Sequence, residues 1–551
     1  MEALNETKRI LGHRKIQNTT DVFLSAAPKG LEKEFHTLLT PDAIDFLANL
    51  IITFEDKITN LYDTRFNRKY KLKNEQKVPT FLNSNTSSGT WTIAPIPKRL
   101  HNRHLDLGDV SPSNLDHFCD ALCANVQGIQ VDFDDGHCPT WRNQIHGLYN
   151  VYQMVHGHLL NVPPLKDAPI LMMRPRAWNM IEHNMSINGK EVPGPLFDFA
   201  LLMYHNAQIL AKYEVGPFLY LSKMEGANEA KLWNEIFAWS ESKLGISYGT
   251  IKACVLIENI LSSFEMDNIL YELRDHSLGL NCGIWDYAAS IINKFGNNEL
   301  FLLPDRNKYV NMNKHFLKCY MKLVVQTCHK RKAHATGGMA ADLLPPKDSS
   351  DYDRVVEKVC KSKLMEIRCG IDGFMVYDVK LVPHINKLWE ECGGALPNQI
   401  TYCEPHTTIT EIDLLTLPKG GVTEMGLRHN IAISILFIFN WLNGKGHFAY
   451  KGSIEDSATA EISRAQIWQW IRHRAQLEDN NETITRKLVQ MHAVDVLQEL
   501  EKRYTSTIHE RTQIAIAFSL FLDLVNRREF PEFITTYLHD ECVFRALHTN
   551  L

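Results

Sequence analysis

Residues 251–258 read IKACVLIE, and residues 274–287 read RDHSLGLNCGIWDY. The first is a run rich in β-branched residues that ends on a carboxylate. The second is an apolar run broken by Asn281 and Gly283 and carrying Asp286 between two aromatics. A strand serving only a core has no use for so many polar groups in so short a space. A strand that delivers side chains to a site at its C-terminal end does.

Working outward, five further β-like runs share the design: 126–134 (VQGIQVDFD), 169–178 (PILMMRPRAW), 216–224 (GPFLYLSKM), 334–341 (HATGGMAA) and 373–379 (GFMVYDV). Most stand about 25–50 residues apart, room for a helix each time, as parallel strands joined by crossovers require. Seven such runs ending on polar groups predict an α/β fold, a closed (β/α)8 TIM barrel; the eighth strand is not placed. No GxGxxG follows the first run, which argues against a dinucleotide-binding sheet. A helix is expected over 41–75, with Pro41 in its first turn behind Thr40 as N-cap, and a loop at 83–89 (NSNTSSG). From about residue 420 the pattern is helical only, with Ile467, Trp468 and Ile471 expected on one side. The expected division is 1–115 as an N-terminal helical region, 116–395 as the barrel and 396–551 as a C-terminal helical domain.

Composition narrows the class. The 551 residues are 44% hydrophobic and 22% charged, with a net charge of −5, which offers no footprint for nucleic acid or an anionic membrane. The apolar run 431–442 is short for a bilayer and reads as a buried helix. The 12 cysteines are scattered without CxxC spacing, as expected of reduced thiols in a soluble intracellular protein. The final HTNL is not an SKL-type address, and no secretory or clear transit segment is read at the start. The expectation is therefore a cytoplasmic protein, with peroxisome or mitochondrion as alternatives. No signal of oligomeric state is read.

Several constellations could carry chemistry. Glu258 and Asp286, each closing a run, could hold a divalent cation of the Mg2+ type; the alternative is a pair of salt-bridged acids on a barrel rim. Asp132, Asp134 and Asp135 form another acidic strand end that could support a metal through its waters. Arg174 and Arg176 alternate onto one face, where a guanidinium would suit a carboxylate or an enolate oxygen, or else a rim ion pair. Glu455-Asp456 reads most simply as an acidic helix entry, with Thr459 as candidate N-cap. His146, His156 and His158 read as surface histidines; the His156-x-His158 pair could bind a metal, but a helix there would splay the two apart.

Taken together these segments resemble the malate synthase family in its shorter form, without a large inserted α/β domain. The stretch 274–287 resembles the family signature. MRPRAW (173–178), Ile257-Glu258, FDFALLMYHNA (197–207), CHKR (328–331), GGMAA (337–341) and EDSATAEISRAQIWQW (455–470) resemble its other blocks, in order. The resemblance implies Mg2+-dependent Claisen condensation of acetyl-CoA with glyoxylate, giving malate and CoA. It implies Asp456 as the base, Arg174 at the enolate oxygen, and Glu258 and Asp286 on the metal. Backbone around Gly283, Ile284 and Trp285 would bind the glyoxylate carboxylate. The chain departs from the family where Met375 replaces a pocket tryptophan, Asp378 a histidine and Ile284 an arginine. Family Phe-Glu-Asp is Phe133-Asp134-Asp135, and Leu-Pro-Lys is Leu221-Ser222-Lys223. Met375 implies a looser pocket, and Asp378 an added negative charge near anionic substrates. The alternatives are a condensing enzyme with a changed 2-oxo acid, or a silent paralogue that binds a metabolite or partner.

Overall fold

The computed structural model describes residues 12–16, 20–75, 77–82, 89–392, 396–402 and 407–539. Eight parallel strands close into a barrel: β1 (Leu105–Val110), β2 (Gly128–Asp132), β3 (Ile170–Arg174), β4 (Phe218–Leu221), β5 (Lys252–Ile257), β6 (Ser277–Cys282), β7 (His334–Ala340) and β8 (Gly373–Val376). Each pairs with its neighbours in chain order, and β8 closes onto β1 with Phe374 opposite Leu105. All seven expected runs are barrel strands.

The eighth is β1, which lies ahead of the expected boundary at residue 116. Its sequence, LDLGDV, alternates like a half-exposed strand, yet all six residues are buried. Asp106 can be inside because Arg103 donates to it at 2.9 Å within the barrel. A buried ion pair had disguised a core strand.

The N-terminal region is not wholly helical either. Strands Gly12–Ile16 and Thr20–Leu24 form a four-stranded antiparallel sheet with Ile181–Ile187 and Lys190–Pro193. The expected long helix is α1 (Pro41–Glu75), with the Thr40 hydroxyl accepting from the Ala43 N–H. Arg65 and Arg68 of α1 bind Glu229 and Glu265 on the barrel's outer layer. The expected loop at 83–89 lies outside the described residues except for Gly89.

Helices α2 (Ile284–Phe295) and α3 (His315–Lys330) connect β6 to β7, and the short α4 (Glu411–Leu415) follows the barrel. The C-terminal part follows as α5 (Glu424–Leu442), α6 (Ser457–Arg472), α7 (Arg486–Tyr504) and α8 (Ile508–Asn526). Helix α5 is long and apolar enough to cross a membrane, but 78% of that apolar stretch is buried as the centre of a helical core. Helix α6 is buried on nearly every side and joins two cores. Ile462, Ala465 and Trp468 pack into the barrel's core; Ala460, Ile467 and Trp470 pack into the C-terminal one. Trp468 therefore parts company with Ile467 and Ile471, which the sequence pattern had grouped together.

Candidate active site

Carboxyl ends of parallel strands converge on one mouth, and here they deliver an unusual density of charge. Arg174, the last residue of β3, donates from Nε and Nη2 to both oxygens of Asp132 at 2.7 Å, closing a bidentate pair. Its Nη2 also reaches Asp109 and its Nη1 reaches Asp135, both at 3.0 Å. Lys223, two residues past β4, donates to Asp134 at 2.6 Å and Asp135 at 2.5 Å and stands 3.5 Å from Asp286. Its backbone N–H holds Glu258 Oε1 at 2.7 Å. Asp109 and Lys223 both adopt left-handed backbone, with φ of 52° and 51°. Such strain in non-glycine residues collects where function demands it.

Oxygens of Asp135, Glu258 and Asp286 lie within 4.8 Å of one another. The mouth carries the carboxyls of Asp109, Asp132, Asp134, Asp135, Glu258, Asp286 and Asp456, with Arg174 and Lys223 as its cations. The balance is strongly negative in a buried place, which is costly unless protons or a further cation relieve it. Burial pushes Glu258 up to about 7 despite Lys223, and pushes Asp286 well above the carboxylate range. At Asp135 burial is outweighed by Lys223 and Arg174, which hold it at about 2. Asp286 Oδ2 is buried without a hydrogen-bond partner. Three converging carboxylates, one with an orphaned oxygen, are the donor set a hard divalent cation takes, so the residues fit one. Asp135 is a third candidate donor beside the Glu258 and Asp286 pairing.

Strand β6 ends at Cys282, and Asp286 sits in the first turn of α2, not on the strand as expected. A Cβ on Gly283 would stand 2.9 Å from that of Glu258. Glycine lets main chain lie against the acid. The Gly283 N–H is already given to Tyr320 at 3.1 Å, so it is not free for a substrate anion. The N–H groups of Ile284, Trp285 and Asp286 open the helix, where no intrahelical acceptor exists for them.

Asp456 reaches the mouth from the C-terminal part. It is itself the N-cap of α6, not Thr459: its Oδ1 accepts from the Thr459 N–H, and the Thr459 hydroxyl accepts from its own N–H, each at 3.0 Å. Burial and the charge of Asp135 raise its pKa, while the Thr459 N–H and a hydrogen bond with Asp109 oppose them. Ser457 donates to Asp135 at 2.5 Å, tying the cap to the acid cluster.

Arg174, Glu258, Asp286, Asp456, Gly283, Ile284, Trp285 and Met375 line one cavity, along with Asp109, Asp135, Met339 and Ile454. Arg176 does not join them. Beyond Pro175 it turns into a buried cluster with Asp198 and Glu182. Asp378 is not a pocket charge either, since its carboxylate caps the turn at Val379–Leu381 and accepts from the Leu344 N–H.

Comparison with known proteins agrees with this architecture. The family model described as malate synthase, TIM barrel domain, matches residues 170–417, and that described as malate synthase, C-terminal, matches 421–542. Malate synthase of Myxococcus xanthus is 37% identical, over 92% of this chain and 94% of its own length. Malate synthase of Dictyostelium discoideum is 36% identical, over 92% and 95%. The glyoxysomal malate synthase of Candida tropicalis is 37% identical, over 92% and 93%. Among solved structures, the magnesium/glyoxylate complex of Haloferax volcanii malate synthase aligns with 75% of this chain and 97% of its own, at 13% identity and a TM-score of 0.40. Such identity along nearly the whole length, with barrel and C-terminal models in the order the fold displays, has one reading: the chain belongs to the malate synthase family.

Proposed function

We propose that this chain condenses acetyl-CoA with glyoxylate and hydrolyses the thioester, releasing (S)-malate and CoA, with Mg2+ held by Asp135, Glu258 and Asp286. The observation that carries the reading is the cluster itself: three converging buried carboxylates, one of whose oxygens has no hydrogen-bond partner, with Arg174 and Asp456 at the same cavity. When bound, Mg2+ would polarise the glyoxylate carbonyl and offset the charge of its carboxylate.

The chain's own groups do the rest. The Asp456 carboxylate takes a proton from the acetyl methyl, a weak carbon acid that a raised pKa suits it to attack. Arg174 has four of its five N–H groups engaged, which leaves one on Nη1 for the enolate oxygen. The enolate carbon bonds to the aldehyde carbon, and the C–S bond breaks later, when water attacks the thioester. The N–H groups of Ile284, Trp285 and Asp286 face the anionic end of glyoxylate. Ser457 and the α6 cap hold Asp456 over the mouth and exclude water during the carbanion step.

One observation favours a second reading, that of a broader 2-oxo acid specificity. Met375 and Met339, both flexible thioethers, form one wall of the cavity. A silent paralogue is disfavoured because buried unpaired charge destabilises, yet the acids that would then have no role are all present. The free cysteines among the described residues support a reducing intracellular compartment, the cytoplasm in our reading, with peroxisome or mitochondrion as alternatives. The test is CoA-thiol release from acetyl-CoA with a panel of 2-oxo acids, with Mg2+ or a chelator. Release that needs glyoxylate and Mg2+ is expected. Release independent of any 2-oxo acid, or none at all, contradicts the proposal.

A further inference from the structure

Outside the residues that line the catalytic cavity, His315 opens α3 and Cys319 lies four residues on, along the same face of the helix. Asp413 of α4, which packs against α3, meets them. His315 Nε2 is 2.8 Å from Asp413 Oδ1, and Cys319 Sγ is 3.7 Å from that nitrogen. One donor atom from each residue lies within 4.8 Å of the others. Around a tetrahedral zinc with bonds of about 2.3 Å to sulfur and about 2.0 Å to nitrogen and oxygen, sulfur and nitrogen stand about 3.6 Å apart and nitrogen and oxygen about 3.3 Å. The thiol and imidazole already have that spacing, and the imidazole and carboxylate need to part by about 0.5 Å.

The carboxylate is also oriented from behind. Asp413 Oδ2 accepts from the Thr410 N–H at 2.9 Å and from the Thr410 hydroxyl at 2.7 Å, leaving Oδ1 to face the histidine. That is the kind of support metal-ligating carboxylates receive. The His315 side chain is 64% exposed, so an ion can enter and a water can take a fourth position. The thiol of Cys319, half-buried against the barrel core, adds a soft donor to the His–Asp pair.

We propose that His315, Cys319 and Asp413 form a second metal site, for a zinc-type divalent cation, which clips α4 and its flanking segment onto barrel helix α3. Thiolate and imidazole favour zinc over magnesium, so this site and the acid cluster sort two different ions. Binding releases the Cys319 proton, so affinity rises with pH.

The experiment uses the full chain, stripped with chelator and then saturated with Mg2+ so that the acid cluster is filled. Zn2+ is titrated against a chromophoric chelator, and Co2+ is added separately to look for a thiolate charge-transfer band. The expected result is one Zn2+ of micromolar or tighter affinity, weakened at least tenfold by both Cys319→Ser and His315→Ala. The cobalt band should vanish in Cys319→Ser and persist in Cys123→Ser, an exposed thiol elsewhere. Both ligands lie outside the catalytic cavity, so malate formation should be unchanged and should report that the variants fold. Weakening below tenfold in either variant, or a cobalt band absent from the parent or insensitive to Cys319, overturns the proposal.

Discussion

Asp109 pairs a left-handed backbone with a buried carboxyl that meets both Arg174 and Asp456. Burial and the charge of Asp456 hold it protonated well above the ordinary range, and its hydrogen bond helps keep Asp456 ionised. Asp109→Ala should therefore raise the pKa of the base and move the acid limb of the kcat/KM–pH profile to higher pH. An unmoved limb would detach Asp109 from the base. Nothing local in the sequence announces this residue, because it sits on the strand whose alternation reads as half-exposed. Lys223 is named in the sequence only as part of the altered block Leu221-Ser222-Lys223, without a role, because its partners lie about 35 to 90 residues away along the chain. Arg174, Glu258, Asp286 and Asp456 were legible because each stands inside a recognisable block. The same blocks flagged Met375, where a tryptophan would present a rigid wall to a two-carbon substrate. Met375→Trp should lower the KM for glyoxylate and narrow the range of 2-oxo acids accepted; steady-state kinetics unchanged on both counts would make the departure neutral.

At the scale of elements, two short devices set the geometry. One is the reciprocal cap of α6, in which Asp456 is the helix terminus and, in the proposed mechanism, also the proton acceptor. Removing the Thr459 hydroxyl costs about 1 kcal/mol of stability, the ordinary worth of one such hydrogen bond. Its larger effect should be on catalysis, because the base loses its fixed main-chain anchor. Thr459→Ala should lower kcat severalfold with the KM for glyoxylate nearly kept; a rise in KM with kcat intact would show that the cap positions substrate instead. The sequence showed the helix and its acidic entry but set the cap three residues late, since threonine and aspartate are both good caps and only the fold shows which one turns the chain. The other device is Gly283, whose missing side chain lets the start of α2 press against Glu258. Sequence reading had assigned that space to substrate. The close approach is to a neighbouring strand end, a long-range fact that spacing does not carry.

At the scale of the whole molecule, the barrel supplies a mouth of excess negative charge, and the C-terminal helices close it with one more acid. Burial raises Glu258 to about 7 and Asp286 well above the carboxylate range, so in the folded chain without metal both hold protons that the unfolded chain has already lost. Their contribution to stability is full below the unfolded values near 4; that of Glu258 is lost as pH rises through about 7, and that of Asp286 as pH rises through its own raised value. The divalent cation proposed for this cluster would replace those protons. Thermal unfolding with Mg2+ and with chelator should show a gain in Tm from the metal that is small at pH 5 and grows toward pH 8; a gain that shrinks with pH would contradict the assignment of these acids as ligands. The barrel, the helical C-terminal part and the mouth were legible because strand-end residues repeat at a fixed interval. The two-core role of α6 was not, since one helix buried on both sides shows no apolar stripe to read. The central claim is that Asp456, presented by α6, is the base that acts on acetyl-CoA at this mouth. Its most direct test is CoA release by Asp456→Asn, measured alongside glyoxylate binding in the presence of Mg2+. The account predicts release at least about 100-fold lower with binding nearly intact; more than about a tenth of the parent activity would contradict it.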